Sequence, residues 1–391
     1  CLLVSTFGSG NMPQIDNISS TLNSSFGLSP IVSSLVITIL VGLVIIGGIN
    51  RIASFAGSIV PVMAFIYIVG SLSVLIFNYS NILPSFYIII HDVFSGSAIA
   101  GGFLGASFST AFTYGVARGL YSNEAGQGSS PIAHATSNTK HSIEEGFVSI
   151  LEPFIDTLVI CTLTGLVILA SGVWTEKYEN DFERTSLYFL GQSDSEKNIT
   201  NQINSYTKCR DEGAKCFTGE ISVEMGIADK KNTIFHNRSL AENVIFTKDG
   251  ELFTGLVKVN NGLMVSSGIN VRGESLVKSA VLTSKAFNAG FFGNYGEYIV
   301  SIGLLLFAFS TMITWSYYGD RCTLYLFGEK ALIYYRIFYL LAMFIAGSGL
   351  IDTEVIWNFA LITVAASTLT NLLGIFLLRK EMKYLLQDYF K

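Results

Sequence analysis

The sequence has 391 residues, of which 50% are apolar and 13% aromatic, while only 14% carry a charge. An ordinary soluble domain carries about 25% charged residues, so the composition indicates a membrane protein and excludes a chain made only of ordinary soluble domains. The formal net charge is −5, and no basic stripe suits a phosphate backbone, so we expect no nucleic-acid partner.

The charged residues are unevenly placed along the chain. Residues 176–290 hold 14 of the 24 Lys and Arg and 15 of the 29 Asp and Glu, which indicates one water-exposed insert within a lipid-embedded protein. We predict a first membrane part at 1–174, an insert at 175–285 and further spans at 286–391. The chain opens at Cys1 in an apolar stretch without a charged leader, so we expect its natural N-terminus to lie upstream.

Apolar segments of membrane length recur through the chain. A membrane-spanning helix needs about 20 apolar residues, and residues 1–10 resemble the end of such a span. Phe86–Phe94 is apolar but too short to cross, so we predict an interfacial helix there or the entrance to the next span. Seven further segments are long enough: Pro30–Ile49, Ser58–Phe77, Ala98–Leu120, Phe147–Ser171, Tyr298–Tyr318, Ala331–Ser348 and Val355–Leu378.

The segment Gly115–Ala135 interrupts this pattern. It reads GVARGLYSNEAGQGSSPIAHA and combines four glycines, a proline and an acidic residue with apolar helical patches. Unwound backbone at membrane depth is tolerated only where it lines a cavity or a binding site. We therefore predict a broken membrane helix that continues the span at Ala98–Leu120 to about Asn138, with a functional site at the break.

Four polar side chains stand beside the glycines of this segment, namely Ser122, Asn123, Glu124 and Gln127. Glycine lets the helix open, which frees carbonyls to coordinate a cation and N–H groups to hold a carboxylate at a half-helix N-terminus. An acidic residue within a membrane segment is costly and is usually functional. The alternative is that Glu124 ends a helix at the membrane surface and that the glycines only allow close helix packing.

A second polar set lies in FSTMITWSYY, at the end of the first span after the insert. Ser310 and Thr311 offer hydroxyl oxygens to a weakly held cation, and Thr311 shares a helix face with Trp315. The alternative is that these hydroxyls bond only to their own helix backbone. Asp156 and Thr157 form a third candidate, either as a contact between helices or in a cation pathway.

The Lys and Arg residues of the short loops predict the orientation. Nine Lys and Arg residues lie in the short loops on one side of the predicted spans and in the C-terminal tail. The loops on the opposite side, at 11–28, 78–95 and 347–354, contain none. The nine are Arg51, Lys140, Arg321, Lys330, Arg336, Arg379, Lys380, Lys383 and Lys391. We therefore predict a multi-pass protein of the plasma (inner) membrane with a cytoplasmic C-terminus and an extracytoplasmic insert at 175–285.

The second half of the insert contains signals for β-structure. Lys248-Asp249-Gly250 and Asn260-Asn261-Gly262 are hairpin-type turns between runs of β-forming residues, whereas the first half is predicted to be helical or irregular. Cys209 and Cys216 form a C-x6-C pair, which in an exported domain favours a disulfide over a metal site. The four histidines are scattered along the chain, so we expect no metal site built from them.

Several blocks of the sequence resemble one transporter family. RGLYSNEAGQGSSPIAHA, followed by EGF and LEPFIDTLVICTLTGLVIL, resembles the signature of the alanine or glycine:cation (sodium) symporter family. GSGNMPQ, GGINRIASFAGSIVPVMAFIY and LLLFAFSTMITWSYYGDRCTLYLFGEK are similar to further family blocks. The resemblance covers the chain outside about 175–283. It implies an all-α polytopic membrane protein with a partial LeuT-like inverted-repeat fold, into which the small soluble, β-rich insert is placed.

The resemblance also implies roles for individual residues. SNEAGQG is similar to the unwound first helix of the family's second repeat, and its candidate substrate contacts are Asn123, Glu124, Gly126 and Gln127. Ser310 and Thr311 resemble the hydroxyl positions of a LeuT-type sodium site, so a sodium ion is the implied cofactor. Thr311 and Trp315 would face a small substrate, and Gln14 in GSGNMPQ is a further candidate contact.

The chain departs from the family pattern in three places. A Gly-rich G-T-G-N-type block, which forms the family's first broken helix, is absent, and half of the expected substrate and sodium ligands are absent with it. The last span carries Leu361 and Thr370 where the family has other residues, which affects the expected gating or packing of that helix. The long extracytoplasmic insert is atypical. We therefore expect an N-terminally truncated member.

The motifs and the resemblance limit the functions that the sequence predicts for this protein. The sequence contains no Gly-x-Ser-x-Gly elbow, Walker loop or HExxH motif, so no enzyme activity is predicted. The resemblance implies sodium-coupled symport of a small neutral amino acid, alanine or glycine, by alternating access, with that amino acid and the lipid bilayer as partners. Two alternatives stay open: a cation channel or membrane scaffold, and a sensor whose extracytoplasmic insert binds a ligand.

Overall fold

The computed structural model describes residues 1–95, 108–182, 184–192, 216–228, 232–237 and 239–391. The chain separates into two compact units. One contains Cys1–Tyr79, Phe112–Val167 and Thr283–Lys391, and the other contains Ser80–Ala111 and Ile168–Leu282. The first unit is built from helices, and the strands lie in the second.

The helices follow the apolar segments of the sequence. Before the strands they are α1 (Leu2–Gly8), α2 (Met12–Phe26), α3 (Pro30–Ile45), α4 (Gly48–Phe77), α5 (Ile82–Ser95), α6 (Phe108–Ser122), α7 (Glu124–Gln127), α8 (Ser130–His134), α9 (Ser142–Ser149), α10 (Leu151–Pro153) and α11 (Thr162–Ser171). A π-helix at Phe154–Cys161 joins α10 to α11. After the strands they are α12 (Ser279–Asn288), α13 (Gly296–Phe327), α14 (Leu332–Gly347) and α15 (Thr353–Tyr389).

Within the described part of the chain, five helices are long and apolar enough to cross a membrane. They are Arg51–Phe77, Ser142–Ser171, Gly293–Phe327, Glu329–Gly347 and Thr353–Tyr389. The prediction of seven full spans is therefore only partly met. α3 has 16 residues, fewer than a full crossing needs, because the chain turns at Gly48 with a φ of 71°. The span predicted at Ala98–Leu120 lies partly outside the described residues.

α2 lies where the sequence predicts a loop at 11–28, and that prediction is wrong. It buries Ile15 and Ile18, which are 0% and 1% exposed, together with polar side chains such as Asp16. Pro13 stands in the first turn, where its missing N–H costs no helical hydrogen bond. Gly27 ends the helix with a φ of 67°, which glycine adopts freely. The low mean hydropathy of this segment explains why the sequence predicts a loop where a packed helix lies.

The core of the first unit surrounds α13. Buried side chains of α2, α3 and α14 pack against it, and Tyr339 of α14 donates its hydroxyl to a backbone carbonyl of α13 at 2.8 Å. Glycine allows close helix approach, since a Cβ at Gly319 would lie 1.8 Å from the Tyr335 hydroxyl. Arg336 of α14 and Asp320 of α13 form an ion pair whose shortest N–O distance is 2.6 Å.

The second unit contains small antiparallel sheets. Its described strands are β1 (Lys177–Asp181), β2 (Leu187–Gln192), β3 (Gly219–Glu224), β4 (Ile227–Ala228), β5 (Asn232–His236), β6 (Ser239–Leu240), β7 (Glu242–Lys248), β8 (Glu251–Leu252), β9 (Gly255–Asn260), β10 (Leu263–Met264) and β11 (Ile269–Leu276). They pair in the orders β1-β11-β7-β8, β10-β9-β3-β4 and β2-β5-β6. β1 and β2 occupy residues that the sequence predicts to be helical or irregular, so that prediction is wrong there.

Two tight turns connect neighbouring strands of the second unit. Asp249 and Gly250, with φ of 53° and 89°, join β7 to β8, and Asn261 and Gly262, with φ of 49° and 79°, join β9 to β10. A two-residue turn with positive φ at both positions favours Asp or Asn followed by Gly, because these residues tolerate that backbone conformation. Both turns lie where the sequence places them.

The predicted disulfide concerns two cysteines of the insert. Cys216 is disulfide-bonded, whereas Cys209 lies outside the described residues, so their pairing stays a prediction. Among the described cysteines, Cys1, Cys161 and Cys322 are free thiols.

A buried histidine ends β5. His236 is 2% exposed, its Nδ1 lies 2.7 Å from the Ser275 hydroxyl, and its ring stacks on Phe182 with the centroids 4.2 Å apart. Burial, together with the positive charge of Lys278, lowers the pKa of this imidazole to about 3. The folded chain therefore keeps His236 neutral at pH values at which an unfolded chain would protonate it.

We expect the strands of the second unit to lose stability as the pH falls from 6.5 towards about 3, because the unfolded chain binds a proton that the folded chain excludes. The loss is at most about 1.4 kcal/mol per pH unit in this window. Pulse proteolysis of the whole protein, with cleavage mapped between Lys177 and Leu276, measures it. The variant His236→Gln should show a flatter pH dependence, and the same dependence in both proteins would contradict this role of His236.

Candidate functional site

The interrupted segment follows α6 directly. α6 ends at Ser122, Asn123 leaves the helical conformation with a ψ of 85°, and α7 occupies only Glu124–Gln127. Gly128 then takes a φ of 82°, and α8 begins at Ser130. Each break leaves backbone N–H and C=O groups that need partners at membrane depth. The pairing of these groups determines the geometry of the site.

Side-chain amides within the segment pair several of these groups. Asn123 accepts the N–H of Gly126 on its Oδ1 at 2.9 Å, which caps α7. Gln127 donates its Nε2 to the carbonyl oxygens of Leu120 at 3.1 Å and Tyr121 at 2.7 Å. Asn123 and Gln127, which the resemblance implies as substrate contacts, are thus hydrogen-bonded to the backbone on both sides of the break.

The last helix supplies a third amide. Asn371 of α15 donates its Nδ2 to the carbonyl oxygens of Ala125 at 3.0 Å and Gly126 at 3.1 Å. A Cβ at Gly128 would lie 2.9 Å from the Asn371 amide, so glycine permits this approach as well as the positive φ. Four carbonyls around the break therefore accept hydrogen bonds from side-chain amides, although the sequence predicts freed carbonyls as cation ligands.

The carboxylate of Glu124 lies inside this arrangement. Its Oε1 accepts the indole N–H of Trp315 at 3.1 Å, and its Oε2 accepts the hydroxyl of Tyr318, also at 3.1 Å. The hydroxyl of Ser129 donates to Oε2 at 3.3 Å. A carboxylate withdrawn from water is costly unless donors surround it. Two donors from α13 and one from the break do so here.

A second helix interruption lies beside Trp315. α1 ends at Gly8 and α2 begins at Met12, so the GSGN block breaks a helix, although the sequence predicts it only as the entry to a loop. Trp315 is 2% exposed, and a Cβ at Gly10 would lie 2.0 Å from its ring. The backbone of this second break therefore packs directly on the indole that donates to Glu124.

Tyr121 links the two interruptions. Its hydroxyl donates to the carbonyl oxygen of Ser9 at 2.7 Å, and Gln14 donates its Nε2 to the same hydroxyl at 3.4 Å. Ser9 lies in the GSGN break between α1 and α2, whereas Tyr121 lies just before the break between α6 and α7. Gln14 and Tyr121 are therefore connected to Trp315 and Glu124 through the backbone of the GSGN break.

Two buried amide oxygens in these breaks have no hydrogen-bond partner among the described residues. They are Oδ1 of Asn11 and Oε1 of Gln127, whose side chains are 0% and 2% exposed. The Asn11 Nδ2 donates to the Tyr339 carbonyl oxygen at 2.8 Å, which orients its amide. An unpaired buried acceptor costs about 1–3 kcal/mol. Both oxygens can accept a hydrogen bond from a cationic ligand.

The implied sodium ligands lie on α13. Ser310 and Thr311 donate their hydroxyls to the Phe307 carbonyl oxygen at 2.8 and 3.0 Å, which is the backbone bonding that the structural alternative predicts. A hydroxyl that donates its hydrogen keeps oxygen lone pairs, so these contacts are compatible with cation binding. Among the described residues, no group of three or more His, Cys, Asp or Glu could hold a metal ion.

The sequence does not single out Tyr318 and Asn371, two residues that form hydrogen bonds to the interrupted segment. Tyr318 follows Trp315 by one helical turn, and this spacing could have suggested a shared partner. Asn371 carries no local signal, because its contact with Gly126 joins residues 245 positions apart. Asp156, a candidate in the sequence, accepts the Ser122 hydroxyl across helices, which is one of the two roles left open for it.

The long apolar helices and the site built at helix interruptions define a class, a multi-pass membrane protein with polar residues placed around broken helices. Residues 1–193 and 252–391 match a family model described as "Sodium:alanine symporter family". The chain belongs to this family, whose members are transporters and not enzymes. The resemblance seen in the sequence is thereby confirmed.

Individual relatives show how far the similarity extends. The chain is 31% identical over 372 residues to "Sodium/alanine symporter AgcS" of Methanococcus maripaludis, which covers 95% of this chain and 59% of that protein. It is 28% identical over 390 residues to an "Uncharacterized transporter" of Haemophilus influenzae, with 100% and 64% covered. "Amino-acid carrier protein AlsT" of Bacillus subtilis is 36% identical over 163 residues, with 42% and 34% covered. The chain thus spans less than two thirds of the length of these relatives.

We expect Gly128→Ala to destabilise the protein by more than about 1 kcal/mol, because the added methyl group meets the Asn371 amide at a positive φ. The thermal unfolding midpoint of the purified protein measures the effect. Gly374→Ala, within α15, is the control, since nothing lies within 4 Å of its Cβ position. Equal midpoints for the two variants would contradict the close packing at Gly128.

Proposed function

We propose that this protein is a sodium-coupled symporter that carries a small neutral amino acid, alanine or glycine, across the plasma membrane. Membership of the family supports sodium-coupled transport, and the name of the AgcS relative supports alanine as the substrate. The mechanism is alternating access, in which sodium orders the interrupted segments and one helical bundle rocks to expose the site on the other side.

The carboxylate of Glu124 within the interruption is the observation that carries this proposal. Trp315 and Tyr318 of α13 hold it through hydrogen bonds of 3.1 Å each, so the unwound segment is tied to a neighbouring span. Acidic groups at such positions mark ion or substrate pathways. The unpartnered oxygens of Asn11 and Gln127 add acceptors suited to sodium or to the ammonium group of an amino acid.

The sodium ion binds beside α13 in this proposal. Ser310 and Thr311 present hydroxyl oxygens whose hydrogens point to the Phe307 carbonyl, which leaves their lone pairs for the ion. Oxygen ligands suit hard cations such as sodium. Thr311 lies one turn before Trp315 on α13. Ion binding at Thr311 would therefore affect the position of Trp315, which donates to Glu124.

The amino acid binds between the two interruptions in this proposal. Its carboxylate meets N–H groups of the opened segment around Asn123 and Gly126. The Trp315 ring, packed on Gly10, limits the space for the substrate side chain and favours alanine or glycine. Gln14 reaches the same region through Tyr121. The pair of broken helices supports a LeuT-like arrangement, because such folds build their sites from discontinuous helices.

The loop charges support the orientation of the protein in the membrane. Lys and Arg gather on one side of the predicted spans, which by the positive-inside rule is cytoplasmic. The C-terminus then lies in the cytoplasm, and the insert at 175–285 lies outside.

We expect Thr311→Val to lower sodium-dependent alanine uptake by about tenfold or more, since it removes one oxygen ligand from the ion. Uptake into proteoliposomes containing the whole protein, driven by a sodium gradient, measures the change. Thr314→Val is the matched control because the Thr314 hydroxyl bonds to the Ser310 carbonyl oxygen at 3.0 Å, and it should transport normally. Alanine uptake that persists when potassium replaces sodium would contradict sodium symport.

We expect deletion of residues 177–276 to leave sodium-dependent uptake intact, because these residues contain the strands and none of the site residues. Lys177 and Leu276 are partners on neighbouring strands, so a short glycine linker can join the flanking residues without strain. The same proteoliposome assay decides the outcome. Loss of uptake in a deletion variant that remains folded would favour a sensor whose insert controls the membrane part.

A further inference from the structure

Arg118 is a charged residue that the proposed mechanism does not yet use. It lies on α6, one helical turn before Tyr121, in the broken span predicted from Ala98 onwards. Its guanidinium carbon is 4.1 Å from the centre of the Trp357 ring of α15. A cation–π contact therefore joins α6 to the last helix close to the interruption.

The position of this pair connects it with the site. Tyr121, three residues after Arg118 and on the same face of α6, also contacts Trp357, with the ring centroids 5.3 Å apart. The Tyr121 hydroxyl donates to Ser9 in the other interruption and accepts from Gln14. Arg118 is therefore two aromatic rings away from the residues proposed to contact the substrate.

The charge of Arg118 has no carboxylate partner within the described residues. By contrast, Arg336 of α14 pairs with Asp320, and Arg321 of α13 donates to the Tyr317 hydroxyl. A cation within a membrane span is costly, so it faces a water-filled path or a ligand. Trp357 offsets part of that cost but does not neutralise the charge.

The stacking geometry leaves the hydrogen-bond donors of Arg118 available. The guanidinium group is planar, and its five N–H donors lie at the edge of the plane. The guanidinium carbon lies over the Trp357 ring, 4.1 Å from its centre, and no hydrogen bond to another described residue uses these donors. A preorganised guanidinium edge matches the two oxygens of a carboxylate.

We propose that Arg118, seated on the Trp357 ring, forms a subsite for the α-carboxylate of the amino acid on its way to the interruption. This inference rests on the proposed function and adds a requirement to it, namely that a substrate has a free carboxylate. A cation one turn before Tyr121 gives the substrate carboxylate a first favourable contact before it reaches the N–H groups of the opened segment.

The test compares ligands with and without a carboxylate. Sodium-dependent alanine uptake by the whole protein in proteoliposomes gives KM and the maximal rate, and alaninamide, which lacks the carboxylate, serves as a competing ligand. We expect Arg118→Gln to raise the KM for alanine about tenfold or more, as the loss of a charge-assisted contact implies. The inhibition constant of alaninamide should stay within about twofold of its original value, since this compound makes no such contact.

Two further variants separate a subsite from a structural role. Arg118→Lys keeps the charge and loses the planar fork, so its KM should fall between those of the unaltered protein and Arg118→Gln. Arg379→Gln is the matched control, because Arg379 also stacks on an aromatic ring, with its guanidinium carbon 4.4 Å from the centre of the Phe376 ring, and its KM should not change.

An unchanged KM in Arg118→Gln, or equal weakening of alanine and alaninamide, would overturn the subsite while leaving sodium symport intact. Absence of sodium-dependent uptake in the unaltered protein would instead count against the proposed function. In that event, thermal shifts produced by alanine and alaninamide in the unaltered protein and in Arg118→Gln still decide whether Arg118 binds a carboxylate. If Arg118→Gln fails to fold, the same comparison is made with Arg118→Lys, for which an unchanged alanine KM or midpoint shift overturns the subsite.

Discussion

Backbone groups freed at a helix interruption must find partners, and this requirement shapes the first unit. Water is scarce at membrane depth, so each unpaired carbonyl or N–H would cost several kcal/mol. Three side-chain amides meet much of this need around α7: Asn123 caps it, Gln127 bonds to the end of α6, and Asn371 reaches across from α15. Gly128 makes the last contact geometrically feasible. The unwound segment is therefore held by specific hydrogen bonds.

These bonds tie the interruption to two long helices at once. Asn371 connects it to α15, and Glu124 connects it to α13 through Trp315 and Tyr318. A shift of either helix must lengthen or exchange these hydrogen bonds, and an occupant of the break would alter the same contacts. In the proposed alternating-access mechanism, one small group of residues would thereby couple ligand binding to helix movement.

Hydropathy and turn chemistry predict much of this fold, because both are local properties. The long apolar helices and the turns at Asp249-Gly250 and Asn261-Gly262 lie where the sequence places them. α2 was not predicted because polar residues, among them Asp16 and Ser19, are buried beside its apolar residues, so that hydropathy does not reveal the buried face. In the site, glycine and acidic residues mark the segment around Glu124, but nothing local marks Asn371, whose partners are distant in sequence. The resemblance identified the family, and only three-dimensional contacts show how side-chain amides close the break.

The central claim is that the interruption around Glu124 is the site where sodium and the amino acid act together. Hydrogen–deuterium exchange of the whole protein, followed at the amides of residues 120–130 with sodium, alanine, both or neither, tests it most directly. Ordering of the opened segment by the two ligands predicts slower exchange at these amides when both are present than with either alone. Unchanged exchange at these amides, in a preparation that transports alanine with sodium, would contradict the claim.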